Sequence, residues 1–468
     1  MITKTIKSKY IITDGKRIDG KFFLNNDALL SLIMRENDDK CLPLSELALV
    51  FNPPVFKRQF CQNTSNAVQY FQSSDVPVVF EESRIFINKA QAKKVNALVK
   101  ENQILITGFG SIGNVRLVSN FQEGVAYANN TCRVEVYKNE RYGFIYAFIA
   151  SKYGKAQLNN NGSGSVVRYI EAPGIKKTLI PIFTSEKQQE IHNTIIESAK
   201  LRVESNALLK KVDTELHRAT DLALLKREDY NYFGTRSMRK ASYFTKKSYQ
   251  IDSTTINSFN YSLLIEKLVD NIMLKNHTLP LSMILDENQI FSTGSFPRIE
   301  VKSNNGIMLI NQSDIFDTII QGKRISKRKV KTDNLAQYGE VMIAGVGTLG
   351  ENETFCRVIF ANEDIQGQLV SGEFIRMNTN SEIPSGYLYA WLNTDYGFRL
   401  IRSTQSGTKL CRPIPRLLLK LPVPVLDESI MLEIHNMVTK AHTLRYQANQ
   451  KELQAIQLVE NEIEQWQH

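Results

Sequence analysis

A glycine-rich stretch is the first segment whose residue types could do chemistry. Gly108, Gly110 and Gly113 have the spacing of a dinucleotide-binding fingerprint and follow the strand-like residues 103–106. That fingerprint needs a helix directly after the glycines, because the helix N-terminus holds the pyrophosphate. Residues 114–118 alternate instead as a strand does. The pattern therefore predicts a tight turn between two strands, where glycine readily adopts a positive φ.

Two further motifs resemble catalytic ones. Residues 52–55, Asn-Pro-Pro-Val, match an adenine methyltransferase motif, except that Val55 stands where an aromatic ring stacks on the flipped base. Asp286, Glu300 and Lys302 have the loose spacing of a metal-dependent nuclease. Neither motif has a counterpart in the other half of the chain, and ordinary loops are favoured. An enzyme, as a fused adenine methyltransferase or a nuclease fragment, stays open as the alternative function.

Metal ligation has little support in the sequence. The five cysteines are scattered and never form a CxxC pair, which argues against a zinc knuckle and a disulfide framework. The six histidines form neither an HxxxH nor an HExxH motif. We therefore expect no metal site, and we interpret the cysteines as buried or incidental thiols.

The remaining chemistry is basic and rich in amides. The formal net charge of +10 favours an anionic polymer as partner, and nucleic acid is the usual one. Lys and Arg neutralise phosphates, while Arg, Asn and Gln hydrogen-bond to base edges. The predicted DNA contacts are Lys57, Arg58, Arg84, Arg116, Lys152, Lys155, Asn160, Ser163, Ser165, Arg168, Arg298, Lys302, Lys323, Arg324, Lys327, Arg328, Lys329, Arg402, Gln405, Ser406 and Lys409. For any single residue, a solvated surface position is the alternative.

The elements that would position these residues occur twice. Residues 42–45, Leu-Pro-Leu-Ser, recur as 279–282, at an offset of 237. Residues 190–193, Glu-Ile-His-Asn, recur as 433–436, at an offset of 243. Between them the same order holds for the glycines of 108–113 and 345–350, Tyr-Gly at 153–154 and 396–397, Ser-Gly at 163–164 and 406–407, and the proline-centred 180–182 and 423–425. A period of this length indicates two similar domains and not a solenoid.

Each repeat ends in a long helical pattern. Apolar residues stand three and four apart from Ser185 to about Glu228, and again from Asp427 to about Gln465. Both stretches lack Pro and Gly, so they favour amphipathic helices with coiled-coil periodicity. Thr184 is an expected helix cap. A single apolar stripe needs a partner, and the other long helix is the obvious one.

The segments before these helices favour an α+β fold. Short β-rich runs are punctuated by Gly and Asn, and they comprise residues 76–79, 104–106, 132–136, 341–343 and 357–360. One short helix is expected in each repeat, over residues 143–151 and 385–393.

The duplicated order of these features resembles the DNA-specificity (S) subunit of type I restriction-modification systems, over essentially the whole chain. Residues 17–23 also resemble the opening of that family. The resemblance implies an α+β fold, with two similar mixed α/β target-recognition domains separated by two long antiparallel coiled-coil helices in a pseudo-two-fold arrangement. The expected domain bounds are 1–184 and 231–426, and the expected spacer helices are 185–230 and 427–468.

The resemblance also implies a function without catalysis in this chain. Each domain would read one half of a bipartite, asymmetric target in double-stranded DNA, and the helices would set the unread spacer. Two methyltransferase subunits and motor-nuclease subunits would be the partners. S-adenosylmethionine, ATP and Mg would be bound by those partners, with no cofactor on this chain. A non-catalytic coiled-coil scaffold is a further alternative.

The sequence also bears on the compartment. No apolar run of 18 residues is present, so a membrane-spanning helix has no support. The first residues contain no apolar segment typical of a signal peptide. We therefore expect a cytoplasmic protein without a membrane partner.

Overall fold

The structure is a computed structural model of the chain. It describes residues 23–61, 64–162, 168–225, 244–302 and 306–467, together with 5, 6 and 8, and it leaves out the side chains of 140, 329 and 467. The chain divides into two compact units. Unit 1 comprises Met1–Val203 and Gln447–His468, and unit 2 comprises Glu204–Tyr446.

Unit 1 is a mixed α+β domain. Its helices are α1 (Asn26–Glu36), α2 (Leu44–Leu47), α3 (Lys89–Lys94), α4 (Tyr142–Ala150), α5 (Lys152–Asn161) and α6 (Ala172–Ile175), and the long α7 (Ser185–Thr220) begins in it. Its strands are β1 (Cys41–Pro43), β2 (Ala48–Phe51), β3 (Ala67–Phe71), β4 (Phe86–Asn88), β5 (Ile104–Thr107), β6 (Val115–Leu117), β7 (Ala126–Tyr127), β8 (Thr131–Val136) and β9 (Leu179–Pro181). One sheet has the order β2-β8-β5-β6, a second has the order β4-β3-β7, and β1 pairs with β9.

Unit 2 repeats this plan. Its helices are α8 (Leu263–Lys275), α9 (Leu281–Ile284), α10 (Ser385–Asn393), α11 (Asp395–Ser403) and α12 (Pro415–Leu418), and the long α13 (Glu428–Glu464) begins in it. Its strands are β10 (Thr278–Pro280), β11 (Gly306–Ile310), β12 (Lys323–Ser326), β13 (Val341–Ala344), β14 (Val358–Phe360), β15 (Leu369–Val370), β16 (Phe374–Met377), β17 (Gln405–Ser406), β18 (Arg412–Pro413) and β19 (Pro422–Pro424). The sheets have the orders β14-β13-β16 and β12-β11-β15, with the pairs β10-β19 and β17-β18.

The Leu-Pro-Leu-Ser motif has the same structural role in both units. Its first residues form a short strand that pairs antiparallel with the proline strand, β1 with β9 and β10 with β19. The N–H of Leu44 then donates to the carbonyl of Thr178 at 2.8 Å, and the N–H of Leu281 donates to the carbonyl of Leu421 at 2.9 Å. The sequence repeat is therefore a repeat of backbone contacts, and the predicted α+β class with two similar domains is confirmed.

The Glu-Ile-His-Asn motif joins each long helix to a glycine of the unit. His192 Nδ1 accepts a hydrogen bond from the N–H of Gly143 at 3.1 Å, and His435 Nδ1 accepts one from the N–H of Gly386 at 3.0 Å. A Cβ atom at Gly143 would lie 2.9 Å from the carbonyl oxygen of His192, and one at Gly386 would lie 2.8 Å from His435 Nδ1. The helices approach so closely that no side chain fits at either glycine.

We expect Gly143→Ala and Gly386→Ala each to lower the unfolding free energy of their own unit by about 1–3 kcal/mol, because the added methyl group must displace packed backbone. Urea denaturation measures this change. Gly294→Ala is the matched control, since a Cβ atom there would meet no atom within 4 Å. An effect no larger than that of the control would contradict the close-approach argument.

In unit 1, α7 and α13 run antiparallel. Ser198 Oγ, early in α7, donates to the carbonyl of Ala448 at 2.8 Å. Lys187 Nζ, earlier still, lies 3.6 Å from Glu462 Oε1, near the end of α13. A hydroxyl-to-backbone bond between helices requires close packing, which buried alanine permits. None of the described helices has both the length and the apolar character that crossing a membrane requires.

In unit 2, the later part of α7 pairs with the earlier part of α13. Ser205 Oγ donates to the carbonyl of Ala441 at 2.7 Å, and Lys440 Nζ lies 3.2 Å from Glu204 Oε1. Each long helix therefore contributes to both units. The antiparallel pairing predicted from the two apolar stripes is present within each unit.

Two expectations about element bounds are wrong. Helix α7 ends at Thr220 and not near Glu228, because Asp221 has a φ of 51° and so leaves the right-handed helix. Residues 76–79 form turns and not a strand, since the N–H groups of Val76 and Val78 donate to carbonyls three residues earlier. The apolar composition of residues 76–79 did not reveal these turns, because Val76 is buried as a strand residue would be.

We expect acid to destabilise unit 2 through His442 in α13. Its ring is buried beside Phe360 and Tyr389, with ring centroids 5.0 Å away in each case. Burial lowers the pKa of His442 well below its usual value of 6.5, and Arg445 lowers it further. As the pH falls through that usual value, the unfolded chain takes up the proton first. The unfolding free energy therefore falls towards acid pH, by at most about 1.4 kcal/mol per pH unit.

The fluorescence of Trp391 in unit 2 reports this change once Trp466 in unit 1 is replaced by Phe. Urea denaturation of that variant between about pH 7 and pH 5 should show the loss of stability. The same experiment with His442→Phe should show a shallower dependence on pH. Equal slopes for the two proteins would show that His442 is not the group responsible.

Candidate nucleic-acid interface

An extended segment of unit 2 lies at the edge of the sheet that contains β12. Glu300 and Ile325 form an antiparallel β-bridge, and hydrogen bonds on either side of it continue the pairing. We name residues 298–302 and 323–331 together the unit 2 edge. The fold thus places side by side two segments that are more than twenty residues apart in the sequence.

The unit 2 edge brings together predicted DNA contacts from separate runs of sequence. Its exposed cations are Arg298, Lys302, Lys323, Arg324, Lys327 and Arg328. Glu300 lies 2.5 Å from Lys323 Nζ, and both side chains are exposed. Neighbouring strands lie about 4.8 Å apart, so the remaining cations produce a concentrated positive potential that attracts phosphate groups. The side chain of Lys329 lies outside the described residues.

Unit 1 has an edge of the same construction. Phe60 and Ile87 form an antiparallel β-bridge, which pairs the segment before residue 62 with β4. Gln91 holds this segment in place, because its Nε2 donates to the carbonyl of Lys57 at 2.6 Å. We name residues 57–61 and 84–88 together the unit 1 edge.

The predicted contacts of the unit 1 edge are fewer than those of the unit 2 edge. Lys57 and Arg58 are exposed, and the guanidinium carbon of Arg58 lies 5.6 Å from the centre of the Tyr70 ring. Arg84 is half-buried just before β4. This edge therefore combines two exposed cations with aromatic side chains.

Burial corrects the prediction for three residues. Arg116 is buried, and its Nη2 lies 2.8 Å from Glu81 Oε1. Arg402 is fully buried and donates to the carbonyls of Leu349 (3.0 Å) and Gly350 (2.8 Å). Gln405 is also buried. These three side chains lie in the core of their units and not on the surface.

Four predicted residues lie at or near α5. Lys152 Nζ lies 3.4 Å from Glu460 Oε2 on α13. Asn160 and Arg168 donate to backbone carbonyls of unit 1, and Lys155 is half-buried. Most of this group is therefore held by partners inside the unit, and it forms a weaker candidate surface than the edges.

The Ser-Gly turn of unit 2 is a hairpin of β17 and β18. Ser406 and Lys409 are exposed at its tip, and Gly407 has a φ of 110°. The corresponding turn of unit 1, with the predicted Ser163 and Ser165, lies outside the described residues.

The glycine motif of unit 1 is a hairpin turn, as predicted. It joins β5 to the antiparallel β6, and Gly110 and Gly113 have φ values of 74° and 85°. Because a strand follows, no helix N-terminus is available for a pyrophosphate. The glycines of this motif therefore serve the turn between the two strands.

Residues of the methyltransferase-like and nuclease-like motifs form contacts within their own units. The side-chain amide of Asn52 donates to the carbonyl of Asn129 at 3.1 Å and accepts from the N–H of Ala172 at 2.9 Å. The carboxylate of Glu300 forms an ion pair with Lys323. Within the part of the chain that the structure describes, no group of three or more His, Cys, Asp or Glu side chains could hold a metal ion.

Two exposed apolar residues on the edges were missed by the sequence reasoning. Phe60 is 62% exposed and Ile299 is 53% exposed, although both lie in paired segments. Each stands within two residues of an arginine. An exposed apolar residue beside a cation is typical of a surface that contacts bases as well as phosphates, and that combination was the available signal.

Comparison with known proteins gives one family and several similar structures. Residues 40–212 match the family model described as "Type I restriction modification DNA specificity domain". No curated protein matches the chain. Similar structures include the S subunit of a type I restriction-modification system from M. genitalium (13% identity, 91% of this chain and 92% of that chain, TM-score 0.31). The HsdS subunit from Thermoanaerobacter tengcongensis is another (14% identity, 91% and 95%, TM-score 0.27).

Proposed function

We propose that the chain acts in sequence-specific DNA recognition, because residues 40–212 match the type I restriction-modification DNA specificity family, and that each unit reads one half of a bipartite target. The observation that carries the proposal is the repetition of the hydrogen bonds in the two units. Since the family match ends at residue 212, these shared contacts are the reason to assign the same role to unit 2.

The target is asymmetric in this proposal. The two edges share a backbone arrangement and differ in their exposed side chains, with a dense basic cluster in unit 2 and an aromatic residue in unit 1. Different side chains on equivalent strands select different bases. The long helices α7 and α13 would set the number of unread base pairs between the two halves.

Methyltransferase subunits are the proposed partners, one for each unit. Glu190 and Asn193 are exposed, and so are the identical residues Glu433 and Asn436 of the second copy. The buried residues of this motif are explained by packing, but exposed identical residues need another reason. A partner that binds both units in the same way would supply it. Motor-nuclease subunits would join the same complex.

We expect Glu190→Lys combined with Glu433→Lys to prevent co-purification of the methyltransferase subunits, because a reversed charge at the centre of an interface repels the partner. Each single variant should retain one of the two subunits. Glu186→Lys with Glu428→Lys is the matched control, since both residues are exposed near the starts of the same helices. Unchanged subunit stoichiometry in the first double variant would contradict this docking site.

The chain is proposed to be a non-catalytic subunit that binds no cofactor itself. S-adenosylmethionine, ATP and Mg would be bound by the partner subunits, and the methyl transfer and DNA cleavage would take place there. The occupied amide of Asn52 supports this, because a methyltransferase needs that amide for the exocyclic amine of the base. Binding of radiolabelled S-adenosylmethionine by the isolated chain would overturn the proposal.

The function is tested by purifying the chain with its subunits and mapping methylated adenines in the host genome. A split motif with an unread centre is the expected result. Exchange of residues 1–184 for those of another family member should then change one half of the motif only. A change in both halves of the motif, or in neither, would contradict the proposal that each unit recognises its own half.

A further inference from the structure

The two edges are equivalent in backbone register. In each unit, two hydrogen bonds tie the edge segment to its neighbouring strand. They are Cys61 N to Phe86 O (3.0 Å) and Asn88 N to Gln59 O (3.0 Å) in unit 1, and Val301 N to Arg324 O (2.9 Å) and Ser326 N to Ile299 O (2.9 Å) in unit 2. This register makes Arg58 equivalent to Arg298, and Phe60 equivalent to Glu300.

The two edges have the same residue type at a buried position and different residue types at an exposed one. Ile87 pairs with Phe60 and Ile325 pairs with Glu300, so the neighbouring strand has isoleucine at this position in both units. Both isoleucines are buried, and packing therefore fixes their residue type. The exposed arginine is also the same in both. The next exposed position on the same side of the strand, two residues later, is Phe60 in one unit and Glu300 in the other. Because most of the side chain at this position is exposed, as the 62% exposure of Phe60 shows, the position is available for recognition.

In unit 1, the shared arginine and the divergent phenylalanine both contact the ring of one tyrosine. Arg58 and Phe60 both contact the ring of the buried Tyr70, at 5.6 Å and 6.2 Å from its centre. Phe60 meets that ring edge-on and leaves 62% of its own surface exposed. A cation and an apolar ring are therefore presented together on one extended segment.

In unit 2, the divergent residue is a carboxylate with an exposed partner. Glu300 is ion-paired with Lys323, and both side chains are more than half exposed. An exposed ion pair of this kind contributes little and is easily exchanged for new partners. Glu300 can therefore accept hydrogen bonds from DNA while Lys323 moves to a phosphate.

We infer that Phe60 and Glu300 are equivalent specificity-determining positions, with Phe60 contacting the methyl group of a thymine and Glu300 accepting a hydrogen bond from the amine of a cytosine. This inference rests on the proposed function. An apolar ring matches the methyl group that only thymine presents in the major groove, and a carboxylate matches the donor that cytosine presents there. Arg58 and Arg298 supply the same phosphate contact in both halves.

The test begins with the full chain, purified with its subunits and used to select duplexes from a random-sequence pool. Each thymine in the half-target of unit 1 is then replaced singly by deoxyuridine, which lacks only the methyl group. One replacement should weaken binding by about tenfold, the range of a single lost base contact. Phe60→Ala should bind both duplexes equally. Tyr137→Ala, which removes an aromatic ring that is 63% exposed elsewhere in unit 1, should keep the wild-type difference.

Glu300→Ala should relax the preference for one cytosine in the other half-target, again by about tenfold. Glu382→Ala, at another exposed position of unit 2, should leave it unchanged. The inference is overturned if Phe60→Ala retains the deoxyuridine effect, if no thymine is sensitive, or if Glu300→Ala keeps its base preferences. If the proposed function itself were wrong, the result would differ, because selection from the random-sequence pool would then enrich no sequence.

Discussion

Replacing Arg324, Lys327 and Arg328 together by alanine is expected to weaken duplex binding for all sequences. All three side chains are exposed on the unit 2 edge. Each cation that neutralises a phosphate releases bound counterions, so the slope of log K against log salt should become shallower by about one unit per contact, and by up to about three in the triple variant. The effect should be largest at low ionic strength, where the released counterions contribute most.

Titration of a labelled duplex with the purified complex at several salt concentrations measures this slope. Lys210→Ala, Lys211→Ala and Lys267→Ala together form the matched control, because they remove the same charge from other exposed positions of unit 2. A loss of slope equal to that in the control would show that overall charge, and not the unit 2 edge, determines the affinity. A loss confined to one target sequence would show that these residues contact bases.

The duplicated fold could be predicted from the sequence because the repeated residues pack in the core or bond to the backbone in the same way in both units. Leucine at positions 44 and 281 is buried under the proline strand, and the histidine of Glu-Ile-His-Asn accepts from a glycine that tolerates no side chain. Such roles restrict residue type strongly, so they survive in both copies. Most exposed positions of the edges carry no such restriction, and the edges were therefore not recognised as part of the sequence repeat.

The candidate site could be predicted only in part, because a residue's charge does not reveal its burial. Arg298 and Arg402 each stand next to an isoleucine in the sequence, yet Arg298 is exposed and Arg402 is fully buried. The partners that allow burial are distant in sequence, as in the pair of Arg116 with Glu81. The unit 2 edge was predicted more fully, since six cations within residues 323–331 exceed what a core can accommodate.

A pair of equivalent buried arginines shows why the same position can have different partners. Arg133 in β8 donates to the carbonyls of Ala128 (2.9 Å) and Ala97 (3.1 Å), and burial lowers its pKa to about 10. Its equivalent in β16, Arg376, forms two bonds to the buried carboxylate of Glu340 as well. Backbone carbonyls therefore stabilise the buried arginine of unit 1, whereas the carboxylate of Glu340 also stabilises the buried arginine of unit 2.

We expect Glu340→Ala to lower the unfolding free energy of unit 2 by about 3–5 kcal/mol, because it leaves the buried guanidinium of Arg376 without its carboxylate. Urea denaturation, followed by Trp391 fluorescence in the Trp466→Phe background, measures the loss. Combining Glu340→Leu with Arg376→Met should recover most of it, since an apolar pair has no charge to leave unpaired. Glu204→Ala, which removes an exposed partner of Lys440, should cost no more than about 1 kcal/mol. If the double variant were less stable than Glu340→Ala, the arginine would contribute through its other bonds, to Thr293 and to carbonyls, and not through the carboxylate.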